Sequence, residues 1–424
     1  MLESFDYRTL FAKSIGLTDE WQVSRVIFLE EENSVHIYVT ARQALHYPCP
    51  ICGRQSPRYD AEETERVWRH ADVALFPCYV HSQRPRVNCP EHGIHVIKAP
   101  WAHGPHARFT LGFEGYAMLL VQATTMKEAS RLLRISRGAM VRIASYWVGR
   151  AINEDDLQDV HILSIDETSF RRGQSYVTVI GSPEQKRVIG VEPDRKLVSV
   201  ENFSYDFESR GGNCNQVEFV SIDLSPTDQA ATQLCFPQAT IVFDHFHVKK
   251  LMLEGMDEVR RAEQGRSFSR SYQAGKKLLM IPTTKASQTQ QLRVQQLSRQ
   301  YPKTGRAYRM VQAFDEFYRC QTEVDAKKQL KKLTSWMMHS RLQPMKAVAR
   351  SLRSHEKEIL AFFRQRLTNA FAEGLNSLIQ AAKRKARGFH TFEGFKVAIF
   401  LVAGKLDLAC PHPFTSSTLH GNRT

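Results

Sequence analysis

The chain has 424 residues, more than one hydrophobic core accommodates, and its length suits on the order of two to four domains. With 42% apolar and 24% charged residues it has the composition of a globular protein and not of a disordered one. No stretch reaches the roughly 20 apolar residues of a membrane span, and MLESFDYRTL carries no cationic segment ahead of an apolar one, so a soluble, intracellular protein is expected. A formal charge of +14, from 58 Lys plus Arg against 44 Asp plus Glu, points to a polyanionic partner, nucleic acid first.

Residues 1–45 form the first segment, where WQVSRVIFLEEENSVHIYVTARQ alternates polar and apolar positions and predicts a β-hairpin turning near Glu32 and Asn33. Residues 46–100 are rich in Cys, His and Pro and cannot bury much core unaided. They contain two knuckles of the form C-P-x-(C/H)-G, namely Cys49 to Gly53 and Cys89 to Gly93. Each glycine suits a tight turn that aims two ligands at one centre. Three thiolates and one imidazole, from Cys49, Cys52, Cys89 and His92, make a closed tetrahedral zinc site, and a closed site is structural and not catalytic. His70, His95, His103 and His106 are alternative fourth ligands without the knuckle spacing. Between the knuckles, WRHADVALFPCYVHSQRPRV reads as a hairpin carried by a zinc ribbon, with Cys78 an ordinary buried thiol. Arg84 and Arg86 on it are either DNA contacts or part of a solvated face. Cys214, Cys235, Cys320 and Cys410 are scattered singly, which is not a disulfide framework.

Residues 101–155 show helical periodicity, and TMKEASRLLRISRGAMVRIASYWVGRA fits a helix-turn-helix. Ala129, Leu132 and Leu133 line its first helix, Met140, Val141, Ile143 and Ala144 face inward from the second, and Ser136 is placed to cap the second. Because the second helix of such modules enters the major groove, Arg137 and Arg142 are nominated for bases and Arg131 and Arg134 for phosphate. Arg134 occupies a turn position where glycine is usual. The rival reading is an amphipathic helical pair that only packs.

Residues 156–250 begin with three short strand patterns, ILSID, SYVTVIGS and KRVIGVEP, close enough for an antiparallel meander. VEFVSID ends at Asp223, a helical SPTDQAATQLCF follows, and ATIVFD ends at Asp244. Residues 251–365 carry only Lys-, Arg- and Gln-rich helical patterns, among them Trp336, for which burial is preferred over stacking on an unpaired base. Residues 366–424 open with TNAFAEGLNSLIQAAKRKARGFH. A helix laid on Leu367, Phe371, Leu375, Leu378, Ile379 and Ala382 shows Asn369, Glu373, Asn376, Gln380 and Arg384 on its opposite face. Asp166 and Asp223 on strand ends and Glu373 on a helix are the elements that meet at the active edge of a ribonuclease-H-like fold. Three carboxylates there suit two Mg²⁺ ions about 3.5–4 Å apart, with Mn²⁺ as a substitute.

IDETS at Asp166, IDLSP at Asp223, FDHFHV at Asp244, HSRLQPM from His339 and NAFAEGLNSLIQAAKRKARGF from Asn369 resemble, in order, the blocks of ISL-three-type bacterial insertion-sequence transposases, a DDE family. PWA at Pro100 and the zinc knuckles resemble the family's N-terminal region. The resemblance implies a multidomain α/β protein: a ribonuclease-H-like mixed sheet interrupted by an all-helical insertion, preceded by a zinc ribbon and a helix-turn-helix. It implies Asp166, Asp223 and Glu373 as the catalytic Mg²⁺ ligands. Related families carry C/D-x-x-H after the second aspartate, which Asp244 and His247 match; they are assigned as a supporting pair, with a triad through Asp244 as the alternative. Lys383, Arg384, Lys385 and Arg387, further along the glutamate helix, would hold the DNA backbone. The expected partner is double-stranded DNA, both terminal inverted repeats and target, bound by at least a dimer, and the expected reaction is cleavage of element ends followed by joining of the 3′-OH to target DNA. A DNA-binding regulator with a degenerate core and a nuclease without a joining step are the rivals.

Overall fold

A computed structural model of the chain describes residues 6–169, 176–194, 197–265, 270–281, 286–365 and 370–408. Leu367, Asn369 and Cys410 therefore lie outside the described residues. The chain divides into two units, one built from residues up to Ala151 and the other from Ile152–Leu406.

In the first unit, helix α1 (Tyr7–Ile15) starts at Asp6, whose carboxylate accepts the Arg8 N–H at 3.0 Å, and stops at Gly16, which takes the left-handed φ of 78°. Strands β1 (Trp21–Leu29) and β2 (Ser34–Ala41) form the expected antiparallel hairpin, with Asn33 at φ 48° in its turn. The chain continues through β3 (His46–Pro48), β4 (Gln55–Ala61), β5 (Arg66–Val73), β6 (Phe76–Ser82), β7 (Pro85–Cys89) and β8 (Gly93–Val96). These make two sheets, ordered β1-β2-β6-β5 and β3-β4-β7-β8. The hairpin expected inside the ribbon is present as β5–β6, yet it pairs with β2 and not with the ribbon strands. The reason is burial. Trp68, Cys78 and Val80 are fully enclosed, and Ile37 and Val39 of β2, with Trp101, supply the apolar surface that the short ribbon strands lack. Trp101 meets Trp21 and Trp68 edge to face, at 4.8 and 5.4 Å between ring centroids.

Three helices complete this unit: α2 (Leu111–Ala123), α3 (Met126–Leu132) and α4 (Arg137–Asn153). Thr110 and Thr125 cap α2 and α3 through their hydroxyls, and Ser136 Oγ accepts the Ala139 N–H at 3.1 Å at the start of α4. Arg134, in the turn before α4, takes the left-handed φ of 55° that its lack of a glycine made doubtful. Ala129, Leu133, Met140, Ile143 and Ala144 are buried, whereas Leu132, expected to line α3, is about half exposed.

The second unit opens with β9 (Ile162–Ser169), β10 (Tyr176–Ser182) and β11 (Arg187–Pro193), an antiparallel meander as its patterns predict. Helix α5 (Leu197–Ser209) leads to β12 (Phe219–Ile222), and α6 (Pro226–Cys235) to β13 (Thr240–Phe243). Both of these strands run parallel to β9, giving a five-stranded mixed sheet of order β11-β10-β9-β12-β13. Seven helices follow: α7 (His245–Gln264), α8 (Arg270–Leu279), α9 (Gln288–Gln300), α10 (Pro302–Phe317), α11 (Glu323–Met338), α12 (Gln343–Ser354) and α13 (Glu356–Gln365). No strand interrupts them among the described residues. Trp336 is 39% exposed, against the expectation of burial, because α11 packs through Ala326, Leu330, Leu333 and Met337, and Trp336 stands off that stripe. The chain then returns to the sheet as α14 (Ala370–Lys385) and α15 (Phe392–Ala403).

Candidate active site and zinc centre

Strand register brings the aspartates together. Ile162, Leu163 and Ser164 of β9 lie opposite Phe219, Val220 and Ser221 of β12, so Asp166 and Asp223, two residues further on, reach the same level. Ile222 of β12 lies opposite Phe243 of β13, which puts Asp244 at the level of Asp223. Three adjacent parallel strands thus each deliver one aspartate to the carboxyl edge of the sheet, where open α/β sheets usually bind ligands. After Asp223 and Asp244 the chain turns into helices, whereas β9 runs on past Asp166 to Ser169. Ser225 accepts the Asp228 N–H and, with Pro226 at the first turn, starts α6; Asp244 accepts the Phe246 N–H at 3.1 Å and starts α7.

His247, one turn into α7, faces this edge. Its Nδ1 lies 2.5 Å from Asp223 Oδ1, an ion-pair contact without hydrogen-bond alignment, and its Nε2 lies 4.0 Å from Asp244 Oδ2. Burial pushes the Asp166 and Asp244 carboxyls above the ordinary aspartate range, and repulsion by Asp223, joined at Asp244 by that of Asp166, adds to it, against the neighbouring amide donors and His247. Burial acts the same way on Asp223, but His247, the Leu224 N–H and Lys250 more than offset it and hold that carboxyl low. Burial lowers His247, yet the three aspartates outweigh it and the imidazole is raised.

The glutamate helix lies along β9. Asn376 donates its side-chain amide to Asp166 Oδ2, Gln380 Nε2 donates to Thr168 Oγ1 at 3.0 Å, and Lys383 Nζ donates to the Ser169 carbonyl and, at 3.2 Å, to its hydroxyl. The polar stripe of α14 is therefore a face packed on a strand and not only a solvated one. Glu373, one turn before Asn376 on the same stripe, is exposed. Asn376 is the neighbour of Asp166 that the sequence reading leaves without a role; its place three residues after Glu373 was the available signal. Leu378, expected on the packed face, is about half exposed. Of the basic cluster, Lys383 is engaged with Ser169, and Arg387 lies beyond the end of α14 at φ 57°, not along the helix as expected.

In the first unit the two knuckles sit at the β3–β4 and β7–β8 turns, where Gly53 and Gly93 each adopt φ 75°. The ligand atoms of Cys49, Cys52, Cys89 and His92 all lie within 4.8 Å of one another. Cys52 Sγ is 3.8 Å from Cys89 Sγ, and His92 Nδ1 is 3.5 Å from Cys89 Sγ and 4.0 Å from Cys49 Sγ. Ligand bonds of 2.3 Å to sulfur and about 2.0 Å to nitrogen on a tetrahedron give about 3.8 Å between sulfurs and about 3.5 Å from sulfur to nitrogen, so these residues fit zinc. The Glu91 and His92 N–H groups and the His92 ring bring the Cys89 thiol down to about 6, toward the thiolate a metal needs. No other group of three or more His, Cys, Asp or Glu residues closes this tightly among the described residues, the acidic edge included.

The arginines nominated for DNA differ in availability. Arg131 pairs with Glu128 at 2.5 Å, and Arg134 binds Asp72 and, at 2.7 Å, the Leu75 carbonyl. Arg84 is buried against Glu62 at 2.8 Å, and Arg86, partly exposed, is paired with Asp60, so both hairpin arginines are engaged within the fold. Arg137 and Arg142 are exposed.

Comparison with known proteins assigns the class. A family model described as a transposase, of the DDE ISL3 type, matches residues 163–399, more than half of the chain, and one described as the zinc finger of the IS204/IS1001/IS1096/IS1165 transposases matches residues 47–92. The chain is 24% identical over 429 residues, covering 93% of it and 95% of the relative, to a transposase for insertion sequence element IS1557 of Mycobacterium tuberculosis. It is 23% identical over 397 residues, covering 91% and 96%, to the transposase for IS1001 of Bordetella parapertussis. The chain belongs to the ISL3-type DDE transposase family of insertion sequences. No helix among the described residues is long and apolar enough to cross a membrane.

Proposed function

We propose that this transposase binds the terminal inverted repeats of its element, cleaves the element ends and joins the freed 3′-OH to target DNA, acting as at least a dimer on two ends. The observation that carries the reading is the register that levels Asp166 and Asp223 at the sheet edge, with α14 held against Asp166 through Asn376. A sheet of order β11-β10-β9-β12-β13, antiparallel then parallel, supports a ribonuclease-H-like core, with α7–α13 as its helical insertion.

Asp166, Asp223 and Glu373 are the proposed holders of Mg²⁺. The chemistry of the donors fits a hard cation: carboxylates that raise one another's proton affinity are relieved by a divalent ion. When bound, two such ions activate the attacking oxygen and stabilise the leaving one. Asn376 fixes the orientation of Asp166, and His247 orients Asp223 while it offsets part of the negative charge. Asp223 is preferred over Asp244 because β12 adjoins β9, about 4.8 Å away, whereas β13 lies about twice as far. The Asp244 carboxylate also caps α7, which suits a supporting role with His247. Cys49, Cys52, Cys89 and His92 hold the structural Zn²⁺.

For DNA, α3 and α4 act as a helix-turn-helix, with Arg137 and Arg142 as cations that pair with no carboxylate among the described residues and with Arg131 and Arg134 turned partly to internal carboxylates. Arg384, Lys385 and Arg387, with Lys383 nearest the sheet, form the backbone grip beside Glu373. The test is Mg²⁺-dependent nicking of end-containing DNA by Asp166→Asn, Asp223→Asn and Glu373→Gln enzymes. Each should lose cleavage and retain end binding. A fully active Asp223 variant beside an inactive Asp244→Asn variant would transfer the second position to Asp244.

A further inference from the structure

The first unit holds a cavity of about 310 Å³ that neither the zinc centre nor the acidic edge explains. It lies between the loop joining β8 to α2 and the helices α2 and α4. That volume is at the lower end of the roughly 300–1,000 Å³ of small-ligand sites.

Its wall is fixed before any ligand arrives. Arg66 donates to the Pro105 carbonyl and, at 3.0 Å, to the Ala107 carbonyl, while the Arg69 N–H donates to the Arg108 carbonyl at 2.9 Å and the Arg69 carbonyl accepts the Thr110 N–H at 3.0 Å, which ties the loop to β5. Glu114, 1% exposed, accepts on one oxygen both Trp147 Nε1 at 3.0 Å and His103 Nδ1 at 2.9 Å. This clamp holds the His103 ring stacked on Tyr146, with centroids 4.0 Å apart and planes at 21°. Burial pushes the Glu114 carboxyl upward and His103 opposes it, so ring and carboxylate reinforce each other's placement. Ala139 and Ile143 of α4 give an apolar floor.

The rim differs in character. Arg108 and Arg142 line the cavity, are exposed, and pair with no carboxylate among the described residues; His106 stands beside them. Tyr146 keeps 38% of its surface exposed although its ring is already stacked on one side. A flat aromatic platform, an apolar floor and two uncommitted guanidinium groups at the mouth describe a planar ring attached to phosphate. A base held within a duplex cannot enter a concave pocket. The geometry points to a site for a single unpaired nucleotide of DNA, its base stacked on Tyr146 and its phosphate held by Arg108 and Arg142. Preorganisation keeps the cost of binding low, and a base already unpaired avoids most of the cost of extrusion.

This inference rests on the DNA-binding reading, and its test separates the two. Full-length, zinc-loaded protein is titrated with a duplex bearing one unpaired 2-aminopurine, with the same duplex fully paired, and with 2-aminopurine deoxyriboside monophosphate. Anisotropy reports duplex affinity, and quenching of the fluorophore reports stacking. The bulged duplex should bind about tenfold or more tightly than the paired one, with quenching, as expected for one base stacked on an aromatic ring. Tyr146→Leu should bring that ratio to near one, and Arg108→Ala, at an exposed position, should shrink it severalfold. Equal affinity of the wild type for bulged and paired duplexes would overturn the pocket while leaving DNA binding intact. Quenching by the mononucleotide at affinities above those of the bulged duplex would reassign the pocket to a free nucleotide, and absence of binding to any duplex would overturn both readings.

Discussion

Helix α14 seats on a glycine, which gives a way to move the glutamate helix without touching a polar group. A Cβ added at Gly181 of β10 would stand 3.0 Å from Leu375 Cδ1 and from Phe371 Cε1 and Cζ. Comfortable carbon contacts are about 3.5–4.0 Å, so the helix must retreat by about 0.5 Å or more. Overpacking of this kind costs about 1–3 kcal/mol, or about 2–4 °C per kcal/mol in a unit of this size. Because a misplacement of about 1 Å can cost about a hundredfold in rate, half of it should cost roughly tenfold. Gly190→Ala is the control. Gly190 pairs with Ile180, so it faces the other side of the sheet, where a Cβ would stand 2.4 Å from Phe203 Cδ2. That variant should lose at least as much stability while leaving α14 in place. Single-turnover nicking with saturating end DNA and Mg²⁺, beside thermal melts of both variants, makes the comparison. Equal losses of activity in the two, or full activity of Gly181→Ala with a lowered melting temperature, would refute the idea that the seat of α14 sets the site.

Removing zinc with a strong chelator, or replacing Cys52 by Ser, should lower bound zinc and melt the β3-β4-β7-β8 sheet, seen as loss of hydrogen-exchange protection at Val87, since this small sheet has little other core. Arg84→Ala should cost about 2–3 kcal/mol by leaving Glu62 unpaired, somewhat less than a fully enclosed pair, with duplex affinity unchanged once the fold is matched by temperature. The contact of His247 with Asp223 predicts a pH window: the depressed Asp223 carboxyl contributes above its unfolded value near 4 and loses this as pH falls through its folded value, and the raised His247 contributes below its unfolded value near 6.5 and loses this as pH rises through its folded one. The melting-temperature difference between metal-free wild type and His247→Gln should therefore be largest between about pH 4 and 6.5; a difference that keeps growing above that range would contradict the pairing.

Much of this architecture is legible in the chain because local chemistry dictates it. The knuckles announce themselves through ligand type and through glycines that supply the left-handed turn, and the strands ending at Asp223 and Asp244 carry plain apolar runs. Sheet order is a different matter. That β9 lies between β10 and β12, and that the β5–β6 hairpin crosses to β2, depends on which apolar faces cover one another at long range. The polar stripe of α14 was misleading for a related reason. Periodicity separates polar from apolar faces, but it does not separate water from the polar edge of a strand, so the sequence reading leaves Asn376 and Gln380 without a partner and assigns Lys383 to DNA alone, although each donates to β9. Arg84 was misjudged because a buried cation with its partner has no signature in the sequence.

The Asp-x-x-His spacing shows how local and long-range causes combine at the acidic edge. Asp244 caps α7, and the third residue after a cap points back over the first turn, so His247 is carried to the side of the helix that faces the neighbouring strand. Register then decides what its Nδ1 meets, which is Asp223 at 2.5 Å, while its Nε2 stays 4.0 Å from the capping Asp244. One imidazole among three carboxylates leaves a negative surplus in a half-buried place, and the carboxylates divide it unequally. Asp223, next to the imidazole, stays ionised; Asp166 and Asp244 hold their protons more tightly. A divalent cation would relieve that surplus, and the proposal of Asp223 as the second catalytic aspartate rests on the adjacency of β12 to β9 and not on this electrostatic division.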